Sequence, residues 1–231
     1  MAKTPKKTQG YSPRLPTKFN SLSRENVPDD LFSPAIVGFR FPRYVHNKDR
    51  TMRLVYTDGA CINNGQPDAR AGWAMVACPP RFQGGPNSSV NFCGRLENRG
   101  PAGHYEPQTS NRAELRAVLA ALGSRDWSED RSKREEGCRT LVIATDSVYV
   151  VEGATKWVRR WLKNGWINSR GKPAKNKDLW ENLLTGVEML ADEGVKVQFW
   201  RIPREHNVLA DKLAKKATCE RDVDEFCEMY D

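Results

Sequence analysis

The pattern of hydrophobic and polar positions divides the chain into regions of different character. Between Met52 and residue 97, three short runs rich in β-branched and aromatic residues, MRLVYTD, RAGWAMVA and SVNFCGRLE, are separated by clusters of Asn, Gly and Pro. Apolar runs bounded by such turn residues are typical of consecutive antiparallel strands. The pattern therefore predicts three strands in this region.

From residue 110 onward, apolar positions at helical spacing alternate with short apolar runs. SNRAELRAVLAALGSR is a predicted helix with Ser110 as its cap, and NVLADKLAKKA is a last helix with Asn207 as its cap. DSVYVVEGATKWVRRWLKNGW and KDLWENLLTGVEMLADEG are also predicted helices, whereas TLVIAT and VKVQFWRI are predicted strands. Three strands followed by alternating strands and helices predict an α/β fold, a mixed five-stranded sheet with helices on both faces.

The two ends of the chain differ from this central region in composition. Residues 1–50 are rich in Pro, Ser and Lys without a sustained period, which indicates a basic N-terminal extension that is partly disordered and is ordered around AIVGFRFPRYV. Residues 51–218 carry the periodic pattern and form the expected domain, and residues 219–231 form an acidic tail.

Charge narrows the choice of partner. The net charge of +8 favours a polyanionic partner. A basic segment, residues 156–177, holds eight cations and no acid, with Trp157, Trp161 and Trp166 between them. Cations suit phosphates and indole faces suit sugars or bases, but Trp157 and Trp161 lie four residues apart and can equally be core residues of one helix face.

The rest of the composition points to an intracellular protein. The sequence has no apolar run of eighteen residues and no secretory signal, so no membrane association is expected. Nucleus, cytoplasm and mitochondrion are not distinguished. The six cysteines form no C-x-x-C pair, which is typical of reduced structural thiols.

Four carboxylates lie at the edge of the predicted core. Asp58 and Asp146 end two predicted strands, and Glu114 and Asp211 flank the apolar faces of two predicted helices. A single acid after a strand is most often a helix cap. Four acids around one core would repel each other unless cations bind between them, so the set predicts a site for a hard metal ion such as Mg²⁺.

Four motifs in order, YTDGACINN, TSNRAELRA, ATDSVYV and NVLADKLA, joined by KWVRRWLKNGW and KNKDLW, resemble the cellular type 1 ribonuclease H family over about Met52 to Thr218. The resemblance implies that residues 51–218 are a ribonuclease H catalytic domain, an endoribonuclease that hydrolyses the RNA strand of RNA/DNA hybrids. It assigns the catalytic, metal-binding role to Asp58, Glu114, Asp146 and Asp211. It also implies a mechanism with two Mg²⁺ ions, for which Mn²⁺ can substitute, leaving 5′-phosphate and 3′-hydroxyl ends.

The resemblance extends to the contacts with nucleic acid. It implies that Asn64, Ser110 and Asn111 contact the RNA strand, that Thr109 and Asn176 hold a phosphate of the DNA strand, and that Trp157, Arg160 and Trp161 line a channel for that strand. Asn and Ser also form turns and caps, so a structural role stays open for them. Pro107 stands where some family members supply an arginine to the phosphate pocket.

The family's auxiliary histidine is missing. Many members carry it on a flexible loop ten positions before the last aspartate, but here that position is Arg201, and RIPREHNVLA is too short for such a loop. His206 precedes the start of the last helix, where the helix dipole disfavours an imidazolium ion. A local structural or phosphate-contact role is therefore expected for His206, with catalytic assistance as the alternative.

Two other interpretations stay open: a catalytically silent nucleic-acid-binding domain of the same fold, and a ribonuclease H domain derived from a retroelement. The complete set of four acids disfavours the first, and the basic segment disfavours the second. The expected partner is an RNA/DNA hybrid, bound by a monomer without an obligate protein partner.

Overall fold

The computed structural model describes residues 14–21, 27–37, 41–78, 91–124, 127–128 and 137–228. Within these ranges, none of the helices has the length and apolar character needed to cross a membrane. All six cysteines are free, in agreement with the predicted thiols.

A single mixed sheet of eight strands forms the centre of the described structure. The strands are β1 (Thr17–Lys18), β2 (Phe32–Val37), β3 (Phe41–His46), β4 (Met52–Ile62), β5 (Arg70–Val76), β6 (Asn91–Arg95), β7 (Thr140–Thr145) and β8 (Lys196–Arg201). The long strand β4 pairs in parallel with β7 and, on its other side, antiparallel with β3 near its start and with β5 from Tyr56 onward. Strand β6 continues the sheet beyond β5, and β8 pairs in parallel with β7.

In the described parts of the chain, six α-helices accompany the sheet: α1 (Pro28–Leu31), α2 (Ser110–Gly123), α3 (Val148–Glu152), α4 (Val158–Asn164), α5 (Lys177–Asp192) and α6 (Val208–Ala217). The π-helical turn Gly153–Trp157 joins α3 to α4, so the chain is helical from residue 148 to residue 164. A short 3-10 turn, Arg204–His206, precedes α6.

Strand β7 shows how the sheet separates two apolar cores. Leu141 and Ile143 face the core built with α2, α4 and α5, whereas Val142 and Ala144 face a second core that includes Ala210 of α6. Successive side chains of a strand point to opposite faces, so a strand buried on both faces is apolar throughout. The predicted mixed sheet with helices on both faces is thus confirmed.

The sheet has eight strands rather than the predicted five, because the presumed extension supplies β1, β2 and β3. Strand β1 pairs with β8, and the antiparallel pair β2 and β3 adds to the start of β4. Phe19, directly after β1, and Phe32, the first residue of β2, pack with Trp200 in the second core. Strand β1 has only two residues, and Pro34 and Pro42 interrupt the apolar patterns of β2 and β3, so these strands are ordered by pairing with other segments. Residues 1–13 lie outside the described ranges, and the domain boundary at residue 50 stays a prediction.

Helix starts differ slightly from the sequence prediction. Thr109, rather than Ser110, is the N-cap of α2, because its Oγ1 accepts a hydrogen bond from the backbone N–H of Arg112 at 3.3 Å. Asn207 does precede α6, but its side chain makes no capping hydrogen bond. The Asn207 side chain contributes instead to the site described next.

Candidate active site

Three carboxylates from separate elements converge beside the C-terminal end of β7. Asp58 does not end its strand as predicted, because β4 continues to Ile62 in pairing with β5. Asp58 lies on β4, Glu114 on α2, and Asp146 directly after β7, and each offers an oxygen atom within 4.8 Å of the other two. Gly59 allows α2 to approach β4 closely, since a Cβ atom at this position would lie 2.2 Å from the Glu114 nitrogen. The absence of a side chain at Gly59 therefore allows Glu114 to lie close to Asp58.

Crowding and burial make this cluster electrostatically unstable on its own. Burial, followed by repulsion from Asp146, raises the pKa of Asp58 from 3.8 to about 7. Burial, together with Asp58 and Asp146, raises the pKa of Glu114 well above its ordinary value. A cation among the three oxygens would relieve this repulsion, and carboxylate oxygens are the ligands that hard divalent cations prefer. The donor set therefore fits a divalent metal ion.

Asp211, the fourth predicted ligand, lies next to this cluster but not within it. Its carboxylate accepts hydrogen bonds from Arg204 and Lys215, each at 2.8 Å. Burial alone would raise the pKa of Asp211, but the hydrogen bonds from these two cations outweigh burial and hold its pKa below the usual value. Asp211 still adds to the pKa increase of Asp58. The structure thus unites three of the four predicted carboxylates and pairs the fourth with basic side chains.

Asn207 joins the last helix to the carboxylate cluster. Its Nδ2 donates to the backbone oxygen of Thr57 at 3.0 Å and to Oδ1 of Asp146 at 3.2 Å, and only 1% of the residue is exposed. These bonds fix the start of α6 against β4 and orient Asp146. An Asn before a helix usually serves as a cap, so the sequence position of Asn207 gives no sign of this role.

Arg204 is a second residue that the sequence analysis did not single out. In addition to its bond with Asp211, its charge lowers the pKa values of Asp58 and Glu114, so the guanidinium lies near all of the acids. Its side chain is 69% exposed, which leaves it accessible from solvent. The sequence signal was available, since Arg204 stands in the short link where the family's histidine loop is missing.

His206 ends the 3-10 turn before α6 and is half-buried. Its backbone N–H donates to the Pro203 oxygen at 3.0 Å. The connection between β8 and α6 is accordingly short and regular, as RIPREHNVLA suggested, and the role of the imidazole stays a prediction.

A polar surface lies one turn of α2 away from Glu114. Ser110 and Asn111 begin the helix after the cap Thr109, and the Ser110 backbone N–H donates to Oδ1 of Asn64 at 3.3 Å. Asn64 and Asn111 are exposed. The four residues predicted to contact RNA or a DNA phosphate in this region are therefore neighbours.

The basic segment forms a groove of about 520 Å³ lined by Tyr149, Lys156, Trp157, Arg160, Trp161, Asn168, Ser169, Ala174 and Lys175. Trp157 is 37% exposed, whereas Trp161 is 6% exposed and packs against Trp166 and Trp180, with ring centroids 5.7 Å apart in both pairs. The alternative of a core residue therefore holds for Trp161 but not for Trp157. Asn176, beside the groove, has a left-handed backbone with φ 58° and donates to the Tyr149 hydroxyl at 3.0 Å.

Comparison with known proteins agrees with this arrangement. The RNase H family model matches residues 50–219. Ribonuclease H of Treponema pallidum is 35% identical over 174 residues, covering 71% of this chain and 88% of that protein. Mouse ribonuclease H1 is 33% identical over 167 residues, covering 71% of this chain and 49% of the mouse protein, so the match spans about half of that relative.

Solved structures show the same fold. A foamy viral protease-reverse transcriptase in complex with an RNA/DNA hybrid superposes with a TM-score of 0.50 at 18% identity, covering 89% of this chain and 22% of that one. With the family match over residues 50–219 and these relatives, the chain belongs to the RNase H family of enzymes.

Proposed function

We propose that this chain is an endoribonuclease that hydrolyses the RNA strand of RNA/DNA hybrids and leaves 5′-phosphate and 3′-hydroxyl ends. The observation that carries the proposal is the convergence of Asp58, Glu114 and Asp146 within 4.8 Å, next to an exposed row of neutral polar groups. The relatives that bear the name ribonuclease H support the substrate class.

In this proposal, Asp58, Glu114, Asp146 and Asp211 hold two Mg²⁺ ions, with Mn²⁺ as a substitute. Such ions, when bound, activate water and neutralise the leaving oxygen in phosphodiester hydrolysis. The chain supplies orientation: Asn207 holds Asp146 in place, and the buried position of Asp58 limits its motion. Asp211 would act as a ligand in place of its present contacts with Arg204 and Lys215.

Recognition of the hybrid falls to residues outside the carboxylate cluster. Asn64, Ser110 and Asn111 present neutral donors and acceptors suited to 2′-hydroxyl groups, which distinguish RNA from DNA. Thr109 and Asn176 are proposed to hold a phosphate of the DNA strand. Trp157 and Arg160 line the groove for that strand, and Trp161 supports Trp157 from behind, with their ring centroids 5.9 Å apart. A monomeric state and an intracellular location stay predictions.

The test is cleavage of a labelled RNA/DNA hybrid in Mg²⁺ or in EDTA. The wild type should cleave the RNA strand in Mg²⁺ alone, and Asp146→Asn should reduce kcat by roughly a thousandfold or more, as expected for loss of a group that acts in the transition state. Asp192→Asn is the matched control, since Asp192 is an exposed residue paired with Arg14 far from the cluster along the chain. A wild type that binds the hybrid but leaves it intact would favour the silent binding domain instead.

A further inference from the structure

The last described residues of the chain, 220–228, form an extended strap on the domain surface, beyond the family match at residues 50–219. The backbone N–H groups of Asn98 and Arg99 donate to the oxygens of Val223 and Asp224 at 2.8 and 2.9 Å. The acidic tail is thus attached to the segment that follows β6.

Acidic side chains of the strap meet arginines of the domain. Asp222 lies 3.2 Å from both Arg70 and Arg95, and Glu225 lies 3.3 Å from Arg99. The Arg95 side chain is 2% exposed and that of Asp222 is 58% exposed, so Asp222 reaches a buried guanidinium from the solvent side. Asp224 also accepts a hydrogen bond from the side-chain amide of Asn98 at 3.0 Å.

The far end of the strap is held by a buried arginine. Arg116, 1% exposed, pairs with Glu97 and donates to the backbone oxygen of Cys227 at 2.9 Å. Its guanidinium lies 4.5 Å from the Trp73 ring centroid and 4.9 Å from that of Phe226. The strap therefore covers the Arg116 guanidinium, which would lose its contacts with Phe226 and Cys227 without the strap.

Arg95 also contacts Gln108, which directly precedes the cap of helix α2. Arg95 donates to Oε1 of Gln108 at 2.5 Å, and Nε2 of Gln108 donates to the backbone oxygens of Leu96 and Glu97 at 3.2 and 3.1 Å. Gln108 directly precedes Thr109, the cap of α2, and the exposed polar residues after it. One guanidinium thus lies between Asp222 of the strap and the start of the polar surface.

We propose that the strap is a positioning element for recognition of the RNA strand: Asp222, through Arg95 and Gln108, fixes the start of α2 and with it Ser110 and Asn111, the two residues of this helix assigned to the RNA strand. This inference rests on the proposed function for the identity of the ligand. It concerns affinity and RNA discrimination rather than the chemical step, because the strap does not contact the carboxylate cluster among the contacts described.

Asp222→Asn tests the inference, with Glu228→Gln as a control that removes the same charge from an exposed strap residue. Equilibrium binding in Ca²⁺, which occupies oxygen sites with looser geometry than Mg²⁺, is measured for an RNA/DNA hybrid and for DNA duplex of the same sequence. Loss of one charge-assisted bond predicts roughly three- to tenfold weaker hybrid binding for Asp222→Asn, and duplex DNA binding should change less than about twofold. In Mg²⁺, KM should rise while kcat stays within about twofold.

Thermal unfolding distinguishes two causes of weaker hybrid binding: misplaced recognition residues in a folded protein, and a smaller fraction of folded protein. A second variant, Phe226→Ala, loosens the strap from the Arg116 side and should reproduce the loss of RNA discrimination with the domain still folded at the assay temperature. Equal loss of affinity for hybrid and duplex DNA, or a gain in hybrid affinity, would overturn the inference. A wild type that neither binds nor cleaves the hybrid would overturn the proposed function itself, whereas an active wild type with an unaffected Asp222→Asn variant would overturn the strap inference alone.

Discussion

At the scale of single residues, the site is a balance between acids that repel each other and the cations that relieve them. Within the described residues, Asp58, Glu114 and Asp146 lie close together and form no ion pair, whereas Asp211 pairs with Arg204 and Lys215. Neighbouring acids in one site therefore have opposite electrostatic surroundings, and two predictions follow from the difference.

The raised pKa of Asp58 predicts that the metal-free protein loses stability as the pH rises. The folded state holds the proton up to about pH 7, whereas the unfolded chain releases it near the ordinary value of 3.8. Between these values the folded state binds more protons, so the free energy of unfolding falls with increasing pH and then levels off. In EDTA, Asp58→Asn should therefore raise the Tm at pH 8 relative to the wild type, with the advantage disappearing towards pH 4.

The measurement is thermal unfolding from pH 4 to pH 8, with and without Mg²⁺. Added Mg²⁺ should stabilise the wild type at pH 8 more than Asp58→Asn, because a ligand that binds only the folded state raises its stability. A Tm difference between the two proteins that does not vary with pH would contradict the assigned pKa of Asp58.

Arg204 predicts a competition between a fixed cation and the metal ions. The Arg204 guanidinium donates a hydrogen bond to Oδ1 of Asp211, and its charge lowers the pKa values of Asp58 and Glu114. Arg204→Gln should strengthen Mg²⁺ binding, measured by calorimetry without substrate, by roughly two- to fivefold, the range of an ion pair with a solvent-exposed partner. Lys196→Gln removes the same charge at the opposite end of β8 and should leave Mg²⁺ binding unchanged. Weaker Mg²⁺ binding in Arg204→Gln would show that Arg204 organises the site rather than competing for it.

At the scale of elements, the helical segment from residue 148 to residue 164 packs one face in the core and lines the groove with another. Trp161 is nearly enclosed by Trp157, Trp166 and Trp180, while Trp157 keeps more than a third of its surface exposed. Two tryptophans four residues apart are thus expected to respond differently to the same substitution.

Trp161→Ala should lower the free energy of unfolding by about 3–5 kcal/mol, the usual cost of truncating a buried aromatic side chain. Trp157→Ala should cost far less stability but weaken hybrid binding by roughly five- to a hundredfold, since stacking on an exposed ring is worth about 1–3 kcal/mol. Chemical unfolding and hybrid binding, measured on both variants, provide the comparison. If Trp157→Ala binds the hybrid as tightly as the wild type, the groove does not receive nucleic acid.

At the scale of the whole molecule, charge is distributed unevenly. The chain carries a net charge of +8, and the acidic side chains of the strap pair with arginines of the domain. Arg159 donates to the backbone oxygen of Pro16, so it serves the attachment of the N-terminal segment, whereas Arg160 lines the groove. The exposed cations of the basic segment are therefore expected to dominate attraction of the nucleic-acid backbone.

Replacement of Arg160 and Lys163 by Gln should lower the slope of log Kd against log salt by about 2, one for each lost phosphate contact. The effect on kcat at saturating hybrid should stay within a few fold, because these residues lie outside the carboxylate cluster. Binding titrations across a range of salt concentrations measure the slope, and Lys196→Gln again controls for a lost charge elsewhere. A slope equal to that of the wild type would show that these residues of the basic segment do not contact the phosphates of the hybrid.

The sequence by itself predicted the order of elements from β4 to α6 and the three acids that the fold brings together. Helical and strand periods are local properties, and a buried strand such as β7 is apolar at every position because both of its faces are covered. Motif residues such as Asp58 and Glu114 could likewise be chosen from local spacing.

Tertiary structure alone decided how distant segments meet. Strand β1 has only two residues and a proline interrupts the pattern of both β2 and β3, so the place of these strands depends on pairing with β8 and β4. The bond from Asn207 to Asp146, the capture of Asp211 by Arg204, and the link from Asp222 through Arg95 to Gln108 all join side chains whose positions are set by packing. Local periodicity carries no information about such contacts, because they depend on the register and close approach of elements that are far apart in the chain.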